Sequence, residues 1–167
     1  MDNNLESTFI DALEQDKGRI FRMCRAYSTD NENAKDLFQD VVLQIWKSLP
    51  SFSELSTIDT WIYRITLNVC IRSNLQVKKR EDKMVRLDSI HFENLGTGSD
   101  DNFEESEKFK PLYRCISTLG ETDRSIILLF LEDLPYKEIS SVIGLTENHI
   151  AVKLKRIKEK LFNCLKQ

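Results

Sequence analysis

Hydrophobic positions recur at helical rather than alternating intervals along almost the whole chain. Phe9, Leu13, Ile20, Met23, Cys24 and Tyr27 predict a first helix from Leu5 to about Tyr27, with a bend allowed at Gly18. The polar break Ser28 to Asn33 is rich in capping residues, and a second helix follows from Ala34 to Leu49. Leu37, Phe38, Val41, Val42, Ile45 and Leu49 share one broad face of it. Leu43 and Trp46 fall outside that face, beside Asp36, Gln39 and Asp40, where a solvated surface has no use for them. Such a cluster suits docking of another protein; the plainer alternative is cover by a neighbouring helix of the same unit.

Pro50 ends the second helix, and Ser51, Phe52, Ser53 and the residues to Ser56 form a short loop. The third helix, Thr57 to about Val77, is apolar almost all round, as expected of a helix central in a bundle. Its polar interruptions, Arg64, Asn68, Arg72 and Asn74, make a narrow line leading into Lys78, Lys79 and Arg80. Cations after an aromatic-rich helix suit single-stranded nucleic acid, although Trp61 and Tyr63 read first as core. Asp88 to Glu107 then carries seven carboxylates without a Lys or Arg, around Gly96-Thr97-Gly98-Ser99. That composition predicts a flexible acidic linker. Helical pattern resumes at Phe109 and continues through the apolar run Ile126 to Leu131. The predicted organisation is all-α: a helical domain over 1–85, a linker over 86–108 and a compact bundle over 109–167.

The most specific signal lies in Leu134 to Leu161. Tyr136, Ile139, Val142 and Ile143 form one helical stripe; Ile150, Leu154, Ile157 and Leu161 form the next. Gly144 can take the left-handed conformation that ends the first, and Thr146 can cap the second. This is the spacing of a helix-turn-helix, whose second helix enters a DNA major groove. Asn148, His149, Ala151, Val152, Lys153, Lys155 and Arg156 project from the apolar stripe. From Glu147 onward basic groups outnumber acidic ones by four, whereas the whole chain carries a formal charge of -3. A basic stripe on an acidic protein marks a localised phosphate-facing surface.

Composition narrows the remaining choices. At 167 residues, 41% hydrophobic and 31% charged, the chain fits one large or two small soluble domains. No apolar run approaches the length of about 18 residues that suggests a membrane span. The N-terminus lacks the pattern of a signal peptide, so a cytoplasmic location without membrane insertion is expected. Cys24, Cys70, Cys115 and Cys164 are far apart, and His91 and His149 are near none of them in sequence. A zinc site is therefore not expected, and all four cysteines read as reduced and mostly buried. With no Gly-rich phosphate loop, no ligand cluster and no nucleophile with a partnered histidine, neither catalysis nor a cofactor is expected.

These stretches together resemble the sigma-70 family of bacterial transcription initiation factors, in particular its small extracytoplasmic-function (ECF) group. The likeness rests on DLFQDVVLQIWKSL (36–49), on TWIYRITLNVCI (60–71) and on the helix-turn-helix half, DRSIILLFLEDLPYKEISSVIGLTENHIAVKLKRIKEKL. It implies a region-2-like domain that binds the β′ clamp helices of core RNA polymerase through Asp36, Gln39, Asp40, Leu43 and Trp46. The same domain would hold melted −10 DNA with Ser51, Phe52, Ser53, Arg64, Asn68, Arg72, Lys78, Lys79 and Arg80. A region-4-like domain would meet the β flap and read −35 duplex with Asn148, His149, Ala151, Val152, Lys153, Lys155 and Arg156. A membrane-bound anti-sigma factor is a further partner the likeness makes plausible. Val42 stands where the clamp motif has Phe, Leu67 where Arg precedes the Asn, and Arg72 where Asp is common. Ala151 and Val152 can offer a thymine methyl only an apolar contact. The rival reading is a stand-alone helix-turn-helix regulator that binds an operator as a dimer.

Overall fold

The computed structural model describes residues 3–83 and 101–167, with backbone alone for 77–83 and 101–106. Among the described residues there are α-helices and one 3-10 turn, and no strand. The first unit consists of α1 (Asn3–Ala26), α2 (Asn31–Ser48), the 3-10 turn Leu49–Ser51 and α3 (Ile58–Lys83). The second consists of α4 (Asp101–Ser117), α5 (Glu121–Leu131), α6 (Tyr136–Ile143) and α7 (Glu147–Lys166).

Local chemistry sets the boundaries. Asp30 is extended and accepts the Asn33 amide at 2.8 Å, which starts α2 one turn inside the expected polar break. Gly18 introduces no break, and α1 runs unbroken to Ala26. Pro50 tightens the end of α2 into the 3-10 turn. Helical backbone in α4 begins at Asp101, ahead of Phe109, and the part of the expected linker over 86–100 lies outside the described residues. After α5, Asp133 adopts φ 64°, and the Leu134 amide returns to Leu129 O at 3.2 Å. The chain thus reverses through a left-handed residue that is not glycine.

Apolar faces assemble into two clusters. Phe9, Ile20, Leu37, Val41, Ile45 and Ile62 fill the three-helix bundle of α1, α2 and α3. Ile116, Ile126, Leu129, Ile139, Ile150, Leu154 and Ile157 fill the second unit. The second cluster also takes in Met23 and Ala26 of α1 and Tyr63 and Leu67 of α3, all buried. The two units therefore pack directly on one another. Burial of that shared surface removes apolar area from water and holds α4 against α1, and α5 and α6 against α3.

The cysteines correct the sequence reading. Cys24 and Cys70 are free and buried, but Cys115 and Cys164 form a disulfide between α4 and α7, with their Cα atoms 5.9 Å apart.

Candidate nucleic-acid and docking interfaces

The helix-turn-helix is built from three local devices. Gly144 sits at φ 85°, and its amide donates to Ser140 O at 2.8 Å, closing α6 in a conformation that L-residues with a Cβ resist. The Ser140 hydroxyl donates to Leu145 O and bridges the turn. Thr146 Oγ1 accepts the His149 amide at 3.2 Å and opens α7. Ile150, Leu154, Ile157 and Leu161 are buried, so α7 has one rotational setting on the unit.

That setting sorts the basic residues of α7 by partner. Asn148, His149, Val152, Lys155 and Arg156 are exposed on the outer face, with Ala151 half-buried at its edge. Lys153 turns away from them to Asp123 of α5, at 3.3 Å, and Lys160 approaches the same carboxylate at 3.7 Å. Lys158 lies over the Phe130 ring at 4.2 Å. The outward positive charge near the start of the helix thus comes down to Lys155 and Arg156, beside Asn148. Those groups suit base edges and phosphates, with Val152 as the apolar contact.

On α2, Asp36, Gln39 and Asp40 are exposed, and Leu43 and Trp46 retain 51% and 40% of their surface. Trp46 leans its ring on Phe9, 5.6 Å between centroids, which fixes one face and leaves the other open. A rigid aromatic and an aliphatic group beside two carboxylates form a built docking patch, pre-oriented by the bundle. A groove of about 280 Å³ runs alongside it, between Asp40, Leu43, Gln44 and Lys47 of α2 and Val69, Arg72, Ser73 and Gln76 of α3.

The polar line on α3 divides between two faces. Arg72 belongs to the α2 groove, and its Nε donates to Asn68 O at 3.4 Å. Arg64 points toward the second unit and donates to Ser141 O at 3.2 Å. With exposed Asn68 it lines a crevice of about 340 Å³ whose far wall is Glu121, Thr122, Ser125, Val142, Ile143 and Leu145. Phe52 rests on Trp61, 5.1 Å between ring centroids, while Ser51 Oγ donates to Ser48 O at 2.6 Å and Ser53 is exposed. Tyr63 is core. The side chains of Lys78, Lys79 and Arg80 lie outside the described residues.

A polar latch across the two units carries no sequence signal. Glu132, buried at the end of α5, accepts Arg22 Nε at 2.8 Å and a second guanidinium nitrogen at 2.7 Å, with Arg19 3.9 Å away. The fork geometry makes this a charge-assisted, bidentate pair. Tyr27 Oη lies 3.2 Å from Ser125 Oγ, and Arg124 stacks 5.1 Å from the Tyr27 ring. Burial pushes the Tyr27 phenol up to about 12, so it stays protonated. Behind the latch, Tyr63 donates to buried Asp16 at 3.0 Å and accepts from Arg19 at 3.1 Å. Burial, then a hydrogen bond shared with Asp59, raises the Asp16 carboxyl to about 6. Among the described residues no group of three His, Cys, Asp or Glu side chains could hold a metal ion. No described helix is long and apolar enough to cross a membrane.

Comparison with known proteins follows the same two-part division. The family model described as Sigma-70 region 2 matches residues 12–80, and that described as Sigma-70, region 4 matches residues 109–161. The chain is 22% identical over 152 residues to RNA polymerase sigma factor SigV of Bacillus subtilis, covering 90% of this chain and 87% of the relative. It is 27% identical over 137 residues to the ECF RNA polymerase sigma-E factor of Escherichia coli, covering 77% and 71%. Its fold is shared with the sigma factor RpoE of Bartonella quintana, solved with the anti-sigma factor NepR, at TM-score 0.69 and 21% identity over 95% of this chain and 97% of that one. It is shared equally with CnrH, solved with the cytosolic domain of CnrY, at TM-score 0.70 and 15% identity over 96% and 89%.

Proposed function

The chain belongs to the sigma-70 family of transcription initiation factors, in its ECF group, and from that premise we propose how its surfaces divide the work. It binds bacterial core RNA polymerase, directs it to specific promoters and assists strand separation. Bond making belongs to the polymerase, so the chain itself turns over nothing. Its place of action is the cytoplasm, where polymerase and promoter DNA are.

The domain over 1–85 engages the polymerase clamp helices through Asp36, Gln39, Asp40, Leu43 and Trp46. The observation that carries this reading is the pre-oriented Leu43–Trp46 pair, left open between carboxylates inside the segment that matches region 2. Arg64 and Asn68, with the loop 51–53, offer cations and amides to an unpaired strand. The domain over 109–167 presents Asn148, His149, Val152, Lys155 and Arg156 to −35 duplex, and the segment 86–108 tethers the two. Opening −10 base pairs costs a few kcal/mol of stacking and pairing. Capturing extruded bases offsets that cost once polymerase holds the remaining strand.

Arg64 and Asn68 border the crevice walled by α5, α6 and the turn. Arg64 is held by Ser141 and Asn68 borders the crevice, so parting the two units frees both for a DNA strand, and polymerase and promoter select that opened form. An anti-sigma factor, membrane-bound in many members of the ECF group, fits as the restraint on that opening. Two sigma-70 segments in family order favour this reading over a stand-alone dimeric regulator.

Retention of purified core polymerase on the immobilised chain tests the assignment. Wild-type chain should retain the enzyme, and Leu43→Asp, which places a charge in the apolar centre of the patch, should weaken retention by at least about tenfold. Failure of the wild-type chain to retain core enzyme would sink the reading.

A further inference from the structure

The four cysteines meet in two pairs of opposite character. Cys24 on α1 and Cys70 on α3 are neighbouring thiols with no exposed surface. A hydrogen bond from the Cys70 thiol to Cys24, and then burial, push the Cys70 thiol well above its usual range. Both are inaccessible and stay reduced. Cys115 and Cys164 are bonded across 49 positions, joining α4 to the last turns of α7. Cys115 is buried, whereas Cys164 is only half-covered, near the exposed Phe162 and Leu165. Cys164 is therefore the less covered residue of the pair, and the one an external thiol approaches first.

We propose that Cys115 and Cys164 form a reversible thiol–disulfide site that sets the stability of the helix-turn-helix unit by the thiol poise of the cell. The proposal rests on the reading above in one respect: a polymerase partner works in a reducing cytoplasm, where a disulfide is transient or redox-sensing rather than permanent. The bond closes a loop containing α5, α6 and nearly all of α7, so it restrains the unfolded chain of the whole unit. The DNA-facing residues 148–156 are seated independently by Ile150 and Leu154, and the bond leaves their geometry alone. Its effect is on how long the unit persists when heat or oxidants threaten it.

The chemistry uses low-molecular-weight thiols and their disulfides as co-reactants. In reduction, an external thiolate attacks the sulfur of Cys164, the less covered residue of the pair. The Cys115–Cys164 bond breaks, Cys115 leaves as a thiolate and takes up a proton, and Cys164 is held as a mixed disulfide. A second external thiolate then attacks the external sulfur of that mixed disulfide and frees Cys164, so two external thiols leave as one disulfide with two electrons passed to the protein. Oxidation by a glutathione-type disulfide is the same sequence reversed.

The test uses the full chain in glutathione buffers from strongly reducing to strongly oxidising, with alkylation and peptide mass spectrometry. Oxidation should yield a linked peptide joining Cys115 to Cys164, while Cys24 and Cys70 become alkylatable only after unfolding. Reduction should lower the thermal midpoint of the unit by about 5 °C or more. Cys164→Ser should melt at the reduced midpoint in every buffer, and the unaltered chain serves as its own control should that variant fold poorly. Absence of the link in the oxidising buffers, a link between other cysteines, or a midpoint indifferent to linkage would each overturn the proposal. These readouts involve no polymerase, so a chain that links these cysteines yet retains no polymerase refutes the assigned function and not this site.

Discussion

Replacing Arg22 with Ala tests whether the docked arrangement of the two units is held by its polar latch. The substitution removes two charge-assisted hydrogen bonds, of 2.8 and 2.7 Å, from a Glu132 side chain only 7% exposed. Breaking a fully buried ion pair costs about 3–5 kcal/mol, because the remaining charge is stranded. Two features lower that figure here. Arg22 is itself half-exposed, so solvent already screens part of the attraction, and Arg19 remains 3.9 Å from the same carboxylate. About 1–3 kcal/mol is the reasonable range, equivalent to roughly a 5- to 150-fold shift toward undocked units. Glu132→Gln should cost less, since it withdraws the charge and leaves an acceptor. Amide hydrogen exchange is the direct assay: α3 near Arg64 and α6 near Ser141 should lose protection, while the centre of α2 should not. Affinity for core polymerase should rise toward the same factor, because the docked form withholds the competent state. Unchanged exchange in α3 and α6, together with unchanged or weakened polymerase binding, would refute the reasoning.

Other expectations follow from single features. Gly144→Ala should destabilise the second unit by about 1–2 kcal/mol, visible as a lower thermal midpoint, through backbone strain alone, since a Cβ there would meet nothing within 4 Å. Gly144→Asn should cost less, and an Ala variant as stable as the parent would contradict this account. Asp16 binds its proton more tightly folded than unfolded, so its contribution to stability is full below about pH 4 and is lost as pH rises through about 6. Asp16→Asn should therefore gain on the parent in denaturant midpoint between pH 4 and 7, and parallel pH profiles would count against the buried carboxyl. Arg156→Ala should weaken −35-dependent transcription more than Lys166→Ala, whose parent side chain lies 4.3 Å from the Phe162 ring near the C-terminus. Equal effects in run-off assays would misplace the DNA face.

Legibility in the sequence followed the range of the interactions. The helix-turn-helix was readable because its determinants are local: Gly144 supplies the left-handed residue, Thr146 caps within three residues, and the apolar stripes repeat at helical spacing. The α2 pattern was readable for the same reason, and the Leu43–Trp46 anomaly stood out against it. Interactions across long separations were not readable. Arg22 and Glu132 lie 110 positions apart, and each alone is an ordinary helical charge. Cysteine spacing without a paired motif does not give connectivity, so the α4–α7 bond left no trace. Helical angle alone could not assign Lys153, which sits on the flank of α7 where Asp123 of α5 draws it inward. The acidic run likewise concealed that helical backbone in α4 begins at Asp101.

The most direct test of the central claim is run-off transcription from a promoter library by purified core polymerase, with and without the chain. The account predicts that adding the chain yields transcripts from a restricted promoter set, and that Leu43→Asp abolishes them. Transcription indifferent to the chain, or tight binding of one operator by the chain alone as a dimer, would contradict it.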